Sequence, residues 1–344
     1  MSTMADVARL AGVSLSTVSY AITGVRPISS ETRERIERAM RELRYTPNAL
    51  AQGLASKRSR ILALLFPTSE RGLSLTDLEF ILGAAERASK SGYHVLLWTA
   101  AEDSVDELRH LTHRGLVDGV LVMAVRLVDE RINMLREADV PFAAIGHPQD
   151  TAGVNFADTD FVQTTRVAVE YLAGLGHRDI AVLNQSRATY DRGYGPAVRF
   201  ESGVVAAARS ANVRTEVCHC DSNHQAGRET FGLMIERSPE ITAVVSMNEP
   251  AVVGLMAEAS EYGWRIPRDL SVVSVISSGR TAEMTIPPLT TVSPPARDMA
   301  AVSIEALIRR IEEDSSVEVH TYQQSTLVVR GTSGPPRAGD SGQS

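Results

Sequence analysis

Leu10-Ala11-Gly12-Val13-Ser14-Leu15-Ser16-Thr17-Val18-Ser19-Tyr20-Ala21-Ile22 is the stretch from which the rest of the chain is read. It reads as the end of one short helix, a tight turn at Gly12 and the opening of a second helix. Upstream, Met4, Val7, Ala8 and Ala11 fall at i, i+3, i+4 and i+7, one apolar helix face. Thr3 is placed to cap that helix, with Asp6 three residues on as its capping-box partner. Gly12 tolerates the positive φ that a helix C-terminus commonly needs. Ser14 offers an N-cap oxygen to the second helix, whose inward side is Val18 and Ile22. Two short helices joined through a glycine turn are a helix-turn-helix signature, although an unrelated helical hairpin shares the local pattern.

The flanks decide between the two. After Gly24 and Pro27, Ser29 caps a third helix from Glu31 to about Arg44, with Ile36, Met40 and Leu43 facing inward. Then comes Tyr45-Thr46-Pro47-Asn48-Ala49-Leu50-Ala51-Gln52-Gly53-Leu54-Ala55. The words D-V-A-R-L-A-G-V-S-x-x-T-V-S, S-x-E-T-R-E-R-I and Y-x-P-N-A-L-A-x-x-L resemble, in order and spacing, the DNA-binding head of the lactose-repressor family of transcription regulators. Asn48 to Ala55 is about two helical turns, too short to be stable alone in water. The resemblance implies a hinge helix that folds on DNA and pairs with its twin in a homodimer. Leu54 matches the family's leucine that wedges into a minor-groove base step, an unstacking of a few kcal/mol offset by contacts on the bent duplex.

Charge is divided along the chain. The net charge is −7 over 344 residues. Residues 1–60 hold ten Lys or Arg against five Asp or Glu, and the remainder 25 against 37. A basic head on an acidic body confines phosphate attraction to one end, because exposed charges are screened beyond ~8 Å. Apolar residues make up 43% of the chain, enough for more than one domain. Two cysteines, Cys218 and Cys220, are too few and too close for a disulfide framework. With no signal peptide and no apolar run approaching ~18 residues, a soluble cytoplasmic protein without a membrane partner is expected.

From Ile61 the pattern alternates strand and helix. Ile61–Phe66, Tyr93–Trp98, Gly119–Met123 and Pro141–Ile145 read as strands, separated by helices over about Leu75–Ser91, Val105–Gly115 and Asp129–Ala138. Ile61–Phe66 is a continuous apolar run, the mark of a strand buried on both faces. A second α/β unit follows. Its helices are Asp160–Gly174, Val198–Ala211, Gln225–Arg237 and Ala251–Gly263, and its strands Ile180–Leu183, Thr215–Cys220, Ala243–Ser246 and Leu270–Val275. A Pro-rich crossing at Pro287–Arg297 leads to a helix, Asp298–Glu313, and a last strand, Thr326–Val329. Repeated βαβ units predict parallel sheets. Ligands bind such sheets at the carboxyl ends of the strands, here in the crevice between two units.

The body also resembles that family's effector core, which is related to periplasmic sugar-binding proteins. The matching words are G-x-x-D-G-x-L at Gly115–Leu121, A-V-E-Y-L-x-x-L-G-H-R-D-I-A-V-L at Ala168–Leu183, the Asn248-Glu249 pair, I-P-R-D-L-S-V-V at Ile266–Val273 and P-P-L-T-T-V at Pro287–Val292. The expected architecture is α/β. A helix-turn-helix head spans 1–46, a hinge helix and linker 47–60, and a two-subdomain effector-binding and dimerisation core of parallel sheets flanked by helices 61–331. The N-subdomain takes about 61–158 plus 289–317, the C-subdomain about 159–288 plus 318–331, and a Gly/Pro/Ser-rich tail at 332–344 is expected to be disordered.

Within the head, the positions matching the family's base readers are Leu15, Ser16 and Tyr20. Leu15 can touch a thymine methyl, Ser16 can donate or accept at a base edge, and Tyr20 can reach a base or a phosphate. Thr17 and Ser19 suit phosphate contact, with Ser29, Thr32 and Asn48 as weaker candidates; phosphate contacts position without reading sequence. Ala51 and Ala55, beside Leu54, are further DNA-binding candidates. Arg33, Arg35 and Arg38, interleaved with Glu31, Glu34 and Glu37, read as a solvated helix face.

In the body, a sugar-like effector needs carboxylates, amides and Arg for its hydroxyls. Arg199 is the leading candidate, with Phe200 as its competitor for the same slot because the spacing to Gly203 is ambiguous by one residue. Glu249 takes the position of a common pocket Asp, beside Asn248. Thr68, Ser69, His147, Tyr190 and Arg192 lie on loops at strand ends. Relatives carry Asp after the Leu270–Val275 strand where this chain has Ile276-Ser277-Ser278, which departs from a simple monosaccharide site.

Cys218-His219-Cys220 lacks the second distant pair that structural zinc wants, so no metal is expected. No nucleophile elbow, phosphate-cradling glycine loop or H-E-x-x-H occurs, so neither an active site nor a cofactor is expected. The sequence therefore points to a DNA-binding regulator, in family habit a repressor, acting as a homodimer on double-stranded operator DNA and switched by a sugar-like small molecule. The competing readings are a solute-binding protein, which predicts a signal peptide and no basic head, and an enzyme on the same α/β core.

Overall fold

The computed structural model describes residues 2–23, 26–45, 58–66, 72–99, 105–113, 115–313 and 317–337. The head holds α1 (Met4–Ala11), α2 (Leu15–Thr23) and α3 (Ser30–Glu42). They close on Val7, Val18 and Ile36, all buried. The expected capping box forms: Thr3 N–H donates to Asp6 Oδ2 at 2.9 Å and Asp6 N–H to Thr3 Oγ1 at 3.3 Å. Gly12 takes φ +66° and ends α1, as its position requires.

The body has two six-stranded sheets. The first contains β1 (Ile61–Leu65), β2 (His94–Trp98), β3 (Gly119–Val122), β4 (Phe142–Ile145), β5 (Asn155–Thr159) and β11 (His320–Gln323), in the order β11-β5-β4-β3-β1-β2. The second contains β6 (Asp179–Asn184), β7 (Arg214–His219), β8 (Ala243–Ser246), β9 (Ser271–Val275), β10 (Thr290–Ser293) and β12 (Thr326–Val328), in the order β12-β10-β9-β8-β6-β7. The central pairs are parallel, and β12 alone among the registered pairs runs antiparallel, to β10.

Of the body helices, α4 (Leu75–Lys90), α5 (Val105–His113), α6 (Glu130–Glu137) and the long α13 (Ala296–Glu313) come with the first sheet's stretches of chain. The second sheet's stretches carry α7 (Phe161–Leu175), α8 (Arg187–Asp191), α9 (Gly195–Ser210), α10 (His224–Arg237), α11 (Glu249–Glu261) and α12 (Gly279–Met284). One core gathers Leu62, Leu64 and Phe66 against Met299, Ile304 and Leu307, tying α13 to the first sheet. Two further clusters cover the faces of the second sheet, around Phe200 and Phe231.

Three expectations change. The chain leaves the first lobe after β5, returns between β10 and α13, and leaves again between β11 and β12. So Thr290–Ser293 belongs to the second sheet and His320–Gln323 to the first, not the reverse as the boundaries at 289 and 318 had them. The tail is also ordered through Arg337. Thr332 is fully buried, its hydroxyl donates to the Val272 carbonyl at 2.7 Å, and the Gly334 carbonyl accepts from Ser271 Oγ at 2.9 Å. Composition suggested disorder, but these small polar residues satisfy the backbone of a sheet margin. Residues 338–344 lie outside the described residues.

Candidate functional site

Two sites are built, one on the head and one in the body. On the head, Ser14 Oγ accepts the Thr17 N–H at 3.1 Å and so caps the N-terminus of α2. Leu15 and Ser16 project from that first turn, and Leu15 is 53% exposed, so its side chain serves no core of the head. Tyr20 lies one turn on, with the Arg26 guanidinium 5.5 Å from its ring centroid. Ser29 Oγ accepts the Thr32 N–H at 3.3 Å and so caps α3, while its hydroxyl donates to Thr32 Oγ1 at 2.8 Å. Arg33, Arg35 and Arg38 are exposed. The hinge residues Asn48, Ala51, Leu54 and Ala55 lie outside the described residues.

In the body, a cavity of about 90 Å³ sits between the two lobes at the carboxyl ends of their strands. Its polar wall includes Thr76, Asp77, Asp158, Gln185, Tyr194, Ser222 and Glu249; its apolar wall includes Phe80, Met123, Met247, Ile276 and Met299. Occupied small-molecule sites span about 300–1,000 Å³, so this cavity taken alone is smaller than such a site.

Glu249 is its organising residue. Its carboxylate accepts the Thr76 hydroxyl at 2.8 Å and the Thr76 N–H at 3.3 Å from the first lobe. It also accepts the Ser278 hydroxyl at 3.2 Å and the Ser278 N–H at 3.3 Å from its own lobe. Thr76 is in the first turn of α4, Ser278 is the N-cap of α12, and Glu249 opens α11. A buried carboxylate is thus held at three helix N-termini, where free N–H groups and the helix dipoles favour negative charge by ~0.3–1 kcal/mol each. A Ser74–Asp77 capping box sets the start of α4 and so places Thr76.

The opposite side of the cleft is joined by backbone. Leu127 N–H donates to the Gly193 carbonyl at 2.8 Å and Gly195 N–H to the Val125 carbonyl at 3.0 Å, around an antiparallel bridge between Arg126 and Tyr194. A Cβ on Gly195 would fall 2.9 Å from the Val125 carbonyl oxygen, so the approach requires glycine. Arg199 adds a third tie. Its Nη2 donates to the His147 carbonyl at 2.8 Å, and its Nη1 lies 3.7 Å from Asp158 Oδ2. Burial lowers the guanidinium's pKa from its ordinary value, with Asp158 opposing.

The candidates divide accordingly. Glu249 lines the cavity, while His147 and Arg199 line an adjoining groove of about 650 Å³ along α7 and α9. His147 Nδ1 donates to Asp158 Oδ2 at 2.7 Å, and its ring stacks on Phe156 with centroids 4.7 Å apart. Phe200 is corrected. It is fully buried in the core of the second lobe and faces no ligand, because on α9 adjacent positions point about 100° apart and Arg199 took the outward one. Asn248 is also corrected: it is fully buried behind the wall, its Nδ2 donating to the Cys220 carbonyl at 3.1 Å and the Asn184 carbonyl at 3.3 Å. Tyr190 packs edge-on to His219 at 5.2 Å and Arg192 caps the end of α8, both away from the cavity wall. Thr68 and Ser69 lie outside the described residues.

Sequence reading missed Thr76, Asp77, Asp158, Gln185, Tyr194 and Ser222. Gln185 and Ser222 follow β6 and β7 and were within reach of the strand-end rule, whereas Asp158 lies on β5, which has no apolar run to mark it. At the Cys218-His219-Cys220 stretch, both sulfurs join the apolar core while His219 turns to the Gln185 carbonyl, 2.9 Å away. Burial pushes both thiols up to about 11.

Comparison with known proteins bears directly on this pairing of head and cleft. Residues 3–48 match the profile of bacterial regulatory proteins of the lacI family, and residues 169–333 that of a periplasmic binding protein-like domain. The HTH-type transcriptional repressor PurR of Vibrio campbellii is 31% identical over 341 residues, covering 96% of this chain and 98% of the relative. The chain belongs to the lacI family of bacterial regulatory proteins.

It is a DNA-binding transcriptional regulator with an effector-binding core. The HTH-type transcriptional regulator CelR of Thermobifida fusca is 30% identical over 338 residues, covering 95% of this chain and 97% of its own length. Among solved structures, a lac repressor dimer bound to operator and the anti-inducer ONPF superposes with a TM-score of 0.78 at 26% identity, covering 96% of this chain and 98% of that one. A CelR–cellobiose complex gives 0.72 at 27% identity, covering 96% and 100%. These lacI-family relatives are regulators rather than enzymes. Among the described residues no helix is long and apolar enough to cross a membrane.

Proposed function

We propose that this lacI-family regulator binds operator DNA as a homodimer, acts as a repressor, and changes its operator affinity when an uncharged, hydroxyl-rich effector, a sugar or sugar-like metabolite, occupies the cleft between its lobes. The observation that carries the reading is the cleft wall. Asp77, Asp158 and Glu249 border the cavity, and its described wall contains no Arg, Lys or His. Carboxylates and amides accept hydroxyl donors and repel phosphate or carboxylate ligands. The CelR–cellobiose complex supports the same class.

On the head, Leu15, Ser16 and Tyr20 meet base edges, and Thr17, Ser19, Ser29 and Thr32 meet phosphates, with Asn48, Ala51, Leu54 and Ala55 supplying the hinge contacts. The exposed Leu15 at the start of α2 supports this assignment. The cleft is read as a binding site and not as a seat of turnover.

The test begins by selecting a binding site from a random duplex library with the full chain. Anisotropy titrations on that site then follow at 50 and 200 mM salt, with and without a panel of neutral and phosphorylated sugars. Affinity falls roughly 10³–10⁵-fold between the two salts if 6–10 phosphates are contacted. A neutral sugar shifts affinity and its phosphate ester does not. No site preference over random duplex, or a response to the phosphate ester alone, overturns the reading.

A further inference from the structure

We infer that Thr76 and Glu249 form a clasp that holds the cleft shut without ligand, so that an effector must displace the protein's own hydroxyl and amide donors from Glu249 to enter. This rests on reading the cleft as the effector site and adds how that site is kept closed.

Glu249 belongs to the second lobe and Thr76 to the first, 173 residues apart in sequence, and their two hydrogen bonds span the cleft. Both residues are buried. The carboxylate's four recorded hydrogen-bond donors are hydroxyls and amides. Such donors are those a polyol would bring, so the first turn of α4 occupies the place of a ligand.

A strained residue sits at the same point. Ile276 has φ +56°, a left-handed conformation that a β-branched side chain rarely adopts, and its carbonyl lies 3.3 Å from the Thr76 hydroxyl. That strain persists only while surrounding contacts impose it, and Thr76 is one of them. The cavity beneath is about 90 Å³, smaller than an occupied small-molecule site, so a sugar that fills it must part Thr76 from Glu249.

The far side of the cleft supplies a reporter. The amides of Leu127 and Gly195 bond across the lobes and do not touch Thr76 or Glu249. Hydrogen exchange of the unliganded full chain is measured at these two amides in wild type, Glu249→Ala and Thr76→Val. Opening of the clasp makes both amides exchange at least tenfold faster in Glu249→Ala, and faster by a smaller factor in Thr76→Val, which keeps its N–H. A merely local role for Glu249 moves exchange around Thr76 and Ser278 alone and overturns the clasp. Should Glu249→Ala fail to fold, Thr76→Val, altered on the other lobe at a helix start, decides the matter. Unchanged exchange with intact sugar binding sinks the clasp and spares the effector site. Accelerated exchange with no sugar bound does the opposite.

Discussion

His177 is one side chain that should make the stability of the second lobe respond to pH. Its ring is fully buried. Nε2–H donates to the Gly334 carbonyl at 2.9 Å, and Nδ1 accepts the Thr242 hydroxyl at 2.8 Å, an arrangement that suits the neutral ring. Burial, with the neighbouring Arg178 charge, lowers its pKa from the ordinary 6.5, against the Gly334 bond. Below that value the unfolded chain takes up a proton that the folded chain refuses. Stability is therefore full above pH ~6.5 and declines as pH falls towards the folded pKa, by at most ~1.4 kcal/mol per pH unit. Urea midpoints between pH 7.5 and 5 should fall, and His177→Gln, which keeps a donor for Gly334, should flatten that part of the curve. An unchanged slope removes His177 as its source. A single residue was also where sequence reading slipped. Arg199 and Phe200 competed for one slot on spacing, and only the face each takes on α9 separates them. A one-residue ambiguity amounts to about 100° on a helix, which no count of intervening residues resolves.

At the scale of elements, α10 and α11 cross at two glycines. A Cβ on Gly227 would stand 1.9 Å from the Ala251 carbonyl oxygen, and one on Gly254 1.9 Å from that of His224. Both obstacles are backbone, so neither can swing aside. Gly227→Ala and Gly254→Ala should each destabilise by about 1–3 kcal/mol or more. The double variant should lose less than the sum, because one widened crossing relieves both contacts. Thermal melts of the three variants check this, and additive losses would show two independent contacts. These helices were legible from their apolar spacing, as were β1, β3, β4 and β8 from short apolar runs. By contrast β5, β10 and β11 were not. β5 buries Asn155 and Asp158, whose polar atoms are answered by the Val319 amide and the His147 ring, and β11 reads His-Thr-Tyr-Gln. A strand whose polar groups are satisfied by distant partners carries no periodic signal of its own. The lobe crossovers were misplaced for the same reason, since β10 and β11 mark two of them. Thr76 stayed invisible because its partner is in the other lobe, whereas Glu249 was found by its place just after β8.

Across the whole molecule, the proposed function makes the operator affinity of the basic head answer to an effector in the acidic two-lobed body. An effector alters operator affinity only as far as it binds the open and closed states differently. Couplings of this kind amount to about 1–3 kcal/mol, or 5–150-fold, and operator changes effector affinity by the same factor. If the Thr76–Glu249 clasp is what the effector breaks, Thr76→Val has already carried out part of the effector's work. Its unliganded operator affinity should move toward the wild-type liganded value, and the further change on adding effector should shrink correspondingly. Effector affinity should rise in the same variant, because the ligand no longer competes with the Thr76 hydroxyl. Operator titrations of wild type and Thr76→Val, with and without saturating effector, give the four affinities required. Equal effector responses in the two proteins would place the switch elsewhere in the body. A response that shrinks without a gain in effector affinity would separate the clasp from ligand entry, leaving Thr76 as a strut of the closed state alone.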